Sequence, residues 1–444
     1  MINSETANRN RLSPAQVIVI GFFGVVLFGA GLLCLPFSSV SGKWSSFTDA
    51  LFTSVSATCV TGLVVVDTAT QWSFFGQLVI LLLIQTGGLG VVTLYISFCM
   101  LLGRKIGFAD RNLMRESVSA PEISGIIRFA RYVFLCTFIS EAAGALIMLP
   151  VFAADFGFVR GLWVSVFQSV SAFCNAGFDL FGANAPFSSL TAYVANPVVN
   201  AVTMLLIIAG GLGFFTWKDI MKNGVHFKRY RLQSKTVVVT TVVLIFLPAL
   251  WLFFAEFSDR PFGERILCSL FQAVTPRTAG FNTVDLNSLS DKSRAITVAL
   301  MLIGGSPGST AGGMKTTVFA LTVLTTLAVF FKKQNTEAFG RRIELSVVRQ
   351  ALSVFFVYVF LFFAGGLVIS AAENLPVSVC LFESASALGT VGLTLGITPE
   401  LGLLSQTVLM LLMFFGRVGV LTVFYATVSP KKVHVVLPEE KMQI

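Results

Sequence analysis

Eight stretches of this chain are long and apolar enough to cross a bilayer, near residues 15–37, 74–102, 128–153, 196–221, 235–257, 294–331, 347–372 and 402–429. A spanning helix needs about 20 apolar residues. Between the members of each pair lies a shorter apolar stretch, at 47–57, 159–173, 262–275 and 375–388. A dozen or so residues are too few to cross, so these segments are expected to enter the membrane and return. Helix-opening residues mark three of their starts: Asp49, then Pro261 and Glu264, then Asn374 and Pro376. Only 12% of the residues are charged, against about 25% in a soluble domain. The pattern confines the chain to an all-α integral membrane protein.

Charge sets the expected orientation. The N-terminus (1–14), the linkers 103–131, 218–235 and 332–349, and the tail (430–444) hold 22 of the 31 basic residues but only 9 of the 22 acidic ones. Basic segments flanking spans stay on the cytoplasmic side. Both termini are then cytoplasmic, in the cell membrane, and the linkers need no nucleic-acid partner to explain them. The first apolar segment is too long for a signal-peptide core.

The ends of the four short stretches read LFTSVSATCVTGL (51–63), VFQSVSAFCNAGF (166–178), LFQAVTPRTAGF (270–281) and LFESASALGTVGL (381–393). They align, the third one residue short, and each carries a glycine near its end: Gly62, Gly177, Gly280 and Gly392. Self-similarity at this period means four copies of one unit. The units are 15–102, 128–221, 235–331 and 347–429, each a helix, a pore helix and a second helix, set around one central pore. A re-entrant helix would aim the negative end of its dipole inward, which favours a cation. The strand after it would present backbone carbonyls in place of an ion's water shell. Glycine fits because successive carbonyls must point one way, at backbone angles that a Cβ resists.

A second motif recurs about 25–35 residues on: QTGGLG (85–90), IAGGLG (208–213), IGGSPG (303–308) and FFGRVG (414–419). In the first two copies, close helix packing through small residues explains the glycines equally well. The third copy opens GGSPGSTAGG: Gly304, Gly305, Ser306, Pro307, Gly308, Ser309, Thr310, Ala311, Gly312 and Gly313. Proline and glycine at this density break a helix, and lipid cannot satisfy the freed backbone. The stretch is therefore expected inside the protein, below the filter, as a loop obstructing the path. The fourth copy places Arg417 where the others have glycine. A charge at membrane depth is a functional candidate, and its guanidinium is expected to donate to loop carbonyls and hold the closed state. Lys315 is expected to bar cations or to anchor the loop.

With these motifs the chain resembles the Trk/Ktr/HKT potassium transporters along its whole length, its eight spans being similar to the Ktr branch. The resemblance implies a filter of Val60-Thr61-Gly62, Asn175-Ala176-Gly177, Thr278-Ala279-Gly280 and Thr390-Val391-Gly392, with K+ at the backbone carbonyls. It implies a gating loop at 304–313, a homodimer, and a cytoplasmic nucleotide-binding regulatory ring of KtrA or TrkA type. Potassium is the transported ion and sodium a possible coupling or modulating ion; no cofactor resides in the chain. Each filter glycine is followed by Leu or Phe with no second glycine, so fewer ion sites are expected than in a potassium channel. Arg277, beside the third segment, is expected to pair with Glu383, and Asp67, Asp179 and Asp285 to concentrate cations at the outer side.

Rival classes find less support. An enzyme would need a convergent nucleophile and base, yet the only histidines, His226 and His434, lie in polar segments. The seven cysteines form no C-x-x-C pair. The stretch ending GGMKTT is a poor phosphate loop. A cation secondary transporter with sodium coupling is the alternative; it predicts inverted repeats, whereas these four copies share one orientation.

Overall fold

The apolar pattern resolves into helices in a repeating order. The computed structural model describes residues 12–101, 107–117, 125–183 and 185–427. The expected cytoplasmic tail (430–444) and most of the N-terminal segment lie outside the described residues. In chain order come α1 (Pro14–Cys34), α2 (Phe47–Thr58), α3 (Thr68–Gln71), α4 (Phe74–Leu89), α5 (Val91–Leu101) and α6 (Phe108–Ser117). Next are α7 (Ile126–Phe156), α8 (Phe158–Cys174), α9 (Pro197–Gly211), α10 (Phe214–Asn223), α11 (Leu232–Trp251) and α12 (Phe262–Val274). The chain closes with α13 (Asp291–Leu302), α14 (Thr316–Phe330), α15 (Leu345–Glu373), α16 (Val377–Gly389), α17 (Leu403–Val418) and α18 (Val420–Thr427). Among the described residues the sheet content is one hairpin of two-residue strands, β1 (Glu337–Ala338) with β2 (Arg341–Arg342), in the third linker.

Among the described residues four helices are long and apolar enough to cross a membrane unaided: α1, α7, α11 with its π turn to Glu256, and α15. The π turn follows Pro248, which removes an amide from the helical ladder. The sequence's other four spans are all broken. Helices α9 and α10 meet at 101° and α17 and α18 at 94°; α4 and α5 part at Gly90, and α13 and α14 flank a loop. Three of the breaks share one cause, and that of the third copy, where α13 ends at Leu302 ahead of its motif's last glycine, carries the same feature within its loop. The last glycine of the second motif, Gly90, Gly213, Gly308 or Gly419, stands at φ 84°, 84°, 68° or 91°. That left-handed region ends a right-handed helix and suits glycine. The sequence pointed to a break in the third copy alone; the last glycine of each motif, rather than the paired glycines, falls within the break in all four.

The short helices match their expected bounds closely. One correction concerns Asn374: it caps the C-terminus of α15 at φ 54° and does not open α16, whose N-cap is Pro376. The aligned phenylalanines Phe52, Phe167, Phe271 and Phe382 are all fully buried, as are the residues after the glycines, Leu63, Phe178, Phe281 and Leu393. Three short helices are pinned to the long helix before them by aligned serines: Ser54 donates to Val26 O (2.7 Å), Ser169 to Glu141 O (2.6 Å) and Ser384 to Phe362 O (2.8 Å). Alternate residues of one motif thus build the core and fix the depth of the helix ends.

Candidate functional site

Helices α2, α8, α12 and α16 end at the four glycine-bearing segments. The first residue of each triplet, Val60, Asn175, Thr278 or Thr390, is left-handed, at φ 56°, 61°, 76° or 51°. The glycines stand at 88°, 70°, 81° and 96°, and the middle residues Thr61, Ala176, Ala279 and Val391 keep negative φ. Alternating handedness turns successive carbonyls to one side. For Val60 this is costly, since β-branched residues rarely adopt positive φ; burial on all sides holds it there.

The segments close on one another. A Cβ placed on Gly62 would lie 2.5 Å from the Ala176 carbonyl oxygen, and one on Gly177 would lie 2.8 Å from that of Ala279. On Gly280 it would strike the Val391 oxygen, and on Gly392 the Thr61 oxygen. Each glycine therefore abuts the middle carbonyl of the next segment, and the fourth returns to the first.

The middle amides of the four segments are already used. Thr61, Ala176 and Val391 donate to the carbonyls of Ser56, Ser171 and Ser386, each at 2.8 Å. Ala279, in the shorter third segment, donates to Thr275 O at 2.9 Å. Ser56 and Ser386 hydroxyls also accept the amides of Gly62 and Gly392, both at 3.0 Å. Sequence reasoning missed this aligned Ser/Thr position, although it is visible in all four copies. With these amides bound back to their own helix ends, the carbonyl oxygens stay available, and the dipoles of four helix C-termini also favour a cation. Such a ring can replace the water shell of a monovalent ion.

Residues 303–315 lie against the same helix ends. Gly304 donates to Met314 O at 2.8 Å and Thr316 to Gly305 O at 3.0 Å, which pinches the loop at its base. Its rim is tied to the break between α9 and α10: Ser306 donates to Gly211 O (2.9 Å), Thr310 to Gly210 O (3.2 Å), and Phe214 to Gly308 O (2.9 Å). Gly313 donates to Gly416 O at 3.0 Å, and the Thr310 hydroxyl to Phe173 O at 2.9 Å, at the end of α8. A Cβ on Gly312 would collide with Thr390 of the fourth segment.

Arg417 reaches this loop. One Nη donates to Thr310 O, the other to Gly87 O and, at 2.9 Å, to Gly88 O. These carbonyls stand at the end of α4, that of Gly87 also accepting the Gly90 amide at 3.1 Å, so one guanidinium joins the loop to the first unit. The attachment to Gly87 and Gly88 was not foreseen. Lys315 donates to Ala311 O at 2.8 Å within the loop.

Arg277 does not pair with Glu383. The Glu383 carboxylate is occupied by the Thr394 hydroxyl (2.6 Å), the Leu395 amide (3.0 Å) and the Thr398 hydroxyl (2.8 Å). Asp67, Asp179 and Asp285 lie in loops beyond the ring. Asp67 caps α3 and accepts the Phe187 amide (2.9 Å), Asp285 accepts that of Asn287 (2.9 Å), and Asp179 that of Phe181 (3.1 Å).

Comparison with known proteins agrees in scale. The TrkH family model, described as a cation transport protein, matches residues 5–434. The chain is 41% identical over 427 residues to the potassium/sodium uptake protein NtpJ of Enterococcus hirae, covering 94% of this chain and 93% of that one. It is 40% identical over 435 residues to the Ktr system potassium uptake protein B of Bacillus subtilis, covering 97% and 96%. In fold it is similar to the potassium transporter TrkH from Vibrio parahaemolyticus, with TM-score 0.74 at 21% identity over 94% of this chain and 85% of that one.

Proposed function

The chain belongs to the TrkH family of cation transport proteins, and on that premise we propose that it is the ion-translocating subunit of a potassium uptake system. Four helix–pore helix–helix units, with eight spans in all, surround one pore in the cell membrane, both termini cytoplasmic. Potassium enters from outside, sheds water against the carbonyls of the four glycine segments, and moves down its electrochemical gradient. That gradient is worth about 2.3 kcal/mol per charge per 100 mV. The loop 304–313 lies across the path beneath, and Arg417 latches it. Lys315 anchors the loop from within.

The observation that carries this reading is the closed ring: four left-handed residues, four positive-φ glycines, and each glycine against its neighbour's carbonyl. Helix packing through glycine alone would not require the alternation of handedness. The names of the two relatives, one a potassium/sodium uptake protein and one a component of a Ktr system, support potassium as cargo and sodium as a coupling or modulating ion. They also support a second component. A cytoplasmic nucleotide-binding ring of KtrA or TrkA type would release the latch, and the chain would work as a homodimer.

Uptake in potassium-uptake-deficient cells tests the reading, with wild type beside Gly62→Ser and Gly280→Ser and the two cations varied independently. Wild type is expected to support growth at low potassium, and the variants to lose uptake or admit sodium. Variants that are expressed and retain wild-type rate and selectivity would remove these glycines from the filter.

A further inference from the structure

Arg277 immediately precedes Thr278 of the third filter segment and is 8% exposed. Its guanidinium donates to no described residue, and its Nε is enclosed without a partner. It borders a small cavity whose other walls include Ile207, Ile245, Val274, Gly211 and Gly305. The cavity measures about 10 Å³, room for about one water-sized occupant. The one other polar side chain in the wall is Thr241, whose hydroxyl is also buried without a partner. No carboxylate lines the space.

An isolated buried charge is costly unless something neutralises it. A water molecule would satisfy the donors but would leave the Arg277 charge without a counter-charge. The Gly211 and Gly305 carbonyls are already taken by Ser306 and Thr316 amides. The occupant that suits this wall accepts hydrogen bonds and carries a negative charge. We propose that the cavity is a binding site for a monatomic anion, chloride in the cell, held by the Arg277 guanidinium and the Thr241 hydroxyl.

The location gives the ion a role. Its walls come from α11, the end of α12, the end of α9 and the first turn of the loop, so the anion joins the third filter segment to the gating loop. It also offsets a positive charge one residue from the third filter segment, which otherwise opposes potassium there. This second consequence rests on the transport reading above; the binding does not.

Bromide is the probe. Crystals of the full-length protein grown in bromide are expected to show an anomalous peak between Arg277 and Thr241. In solution, wild type is expected to gain thermal stability saturably in bromide over gluconate at equal ionic strength. Arg277→Gln should abolish both signals. Thr241→Val, which keeps the charge, should weaken halide affinity about tenfold, the scale of one lost charge-assisted hydrogen bond. In proteoliposomes, replacing chloride by gluconate should slow rubidium uptake several-fold in wild type and not in Arg277→Gln. Ordered water alone at the site, with equal stability in both salts, would overturn the anion. A bromide peak with uptake indifferent to chloride would overturn its coupling to transport and leave the site standing.

Discussion

Removing the Arg417 side chain should open the path. Arg417→Ala deletes hydrogen bonds to Thr310 O, Gly87 O and Gly88 O. Bonds to a charged donor contribute about 1.5–3 kcal/mol each. Opening lets water reach the guanidinium and the released carbonyls, which recovers much of that sum. A net latch of about 2–3 kcal/mol is reasonable, and it corresponds to about 30- to 150-fold in the closed-to-open ratio. The assay is rubidium uptake into proteoliposomes holding this subunit alone, where the latch is intact and basal flux low. Flux should rise by up to that factor, with a ceiling set by the fully open pore. Arg417→Lys separates two mechanisms, because one ammonium keeps the charge but cannot span the loop and α4. It should raise flux partway if the bonds matter; a purely electrostatic block would leave it as wild type. A folded Arg417→Ala protein passing rubidium no faster than wild type would refute the latch.

Deleting residues 306–312 should raise basal flux comparably, and adding Arg417→Ala should give little more, since both act through one element; additive effects would place Arg417 elsewhere. Gly416→Ala should cost about 1–3 kcal/mol of stability as overpacking, because its Cβ meets the Leu388 backbone carbonyl. Gly88→Ala should be milder in a thermal melt, since it meets the Cys174 side chain. The Asp179 carboxyl is pushed up to about 6 by burial, with the nearby Asp67 charge adding to the rise and the Phe181 amide and Ser189 hydroxyl opposing it. A raised carboxyl favours its neutral form in the folded protein. Its contribution is therefore full below about pH 4 and is lost as pH rises through about 6. Asp179→Asn should flatten that part of the stability profile. If the charge gathers cations, the substitution should also remove a loss of potassium affinity between pH 7 and 5.

The sequence was most informative where a chemical need repeats. Four aligned segments each carry a glycine where φ is positive, and their repetition drew attention to them, whereas the equally aligned serine or threonine went unread. Four coincidences point to a candidate site where one would not. Arg417 was legible for another reason: a guanidinium at membrane depth needs acceptors, and the broken helix at 304–313 offers free carbonyls. Its second attachment was not legible, because the break at Gly90, just past Gly87 and Gly88, looks in sequence like ordinary small-residue packing. The Arg277–Glu383 pairing failed for a related reason. Opposite charges suggest each other, but two threonine hydroxyls and one amide, close in sequence to Glu383, satisfy it more locally.

The central claim is that a potassium ion sits inside the ring of glycine segments. Thallium replaces potassium and scatters anomalously, so a crystal grown in thallium tests the claim directly. The account predicts a peak on the ring's axis, level with the carbonyl oxygens of Thr61, Ala176, Ala279 and Val391 and lost in Gly280→Ser. Thallium bound at another place, with the ring empty in a transport-competent protein, would contradict it.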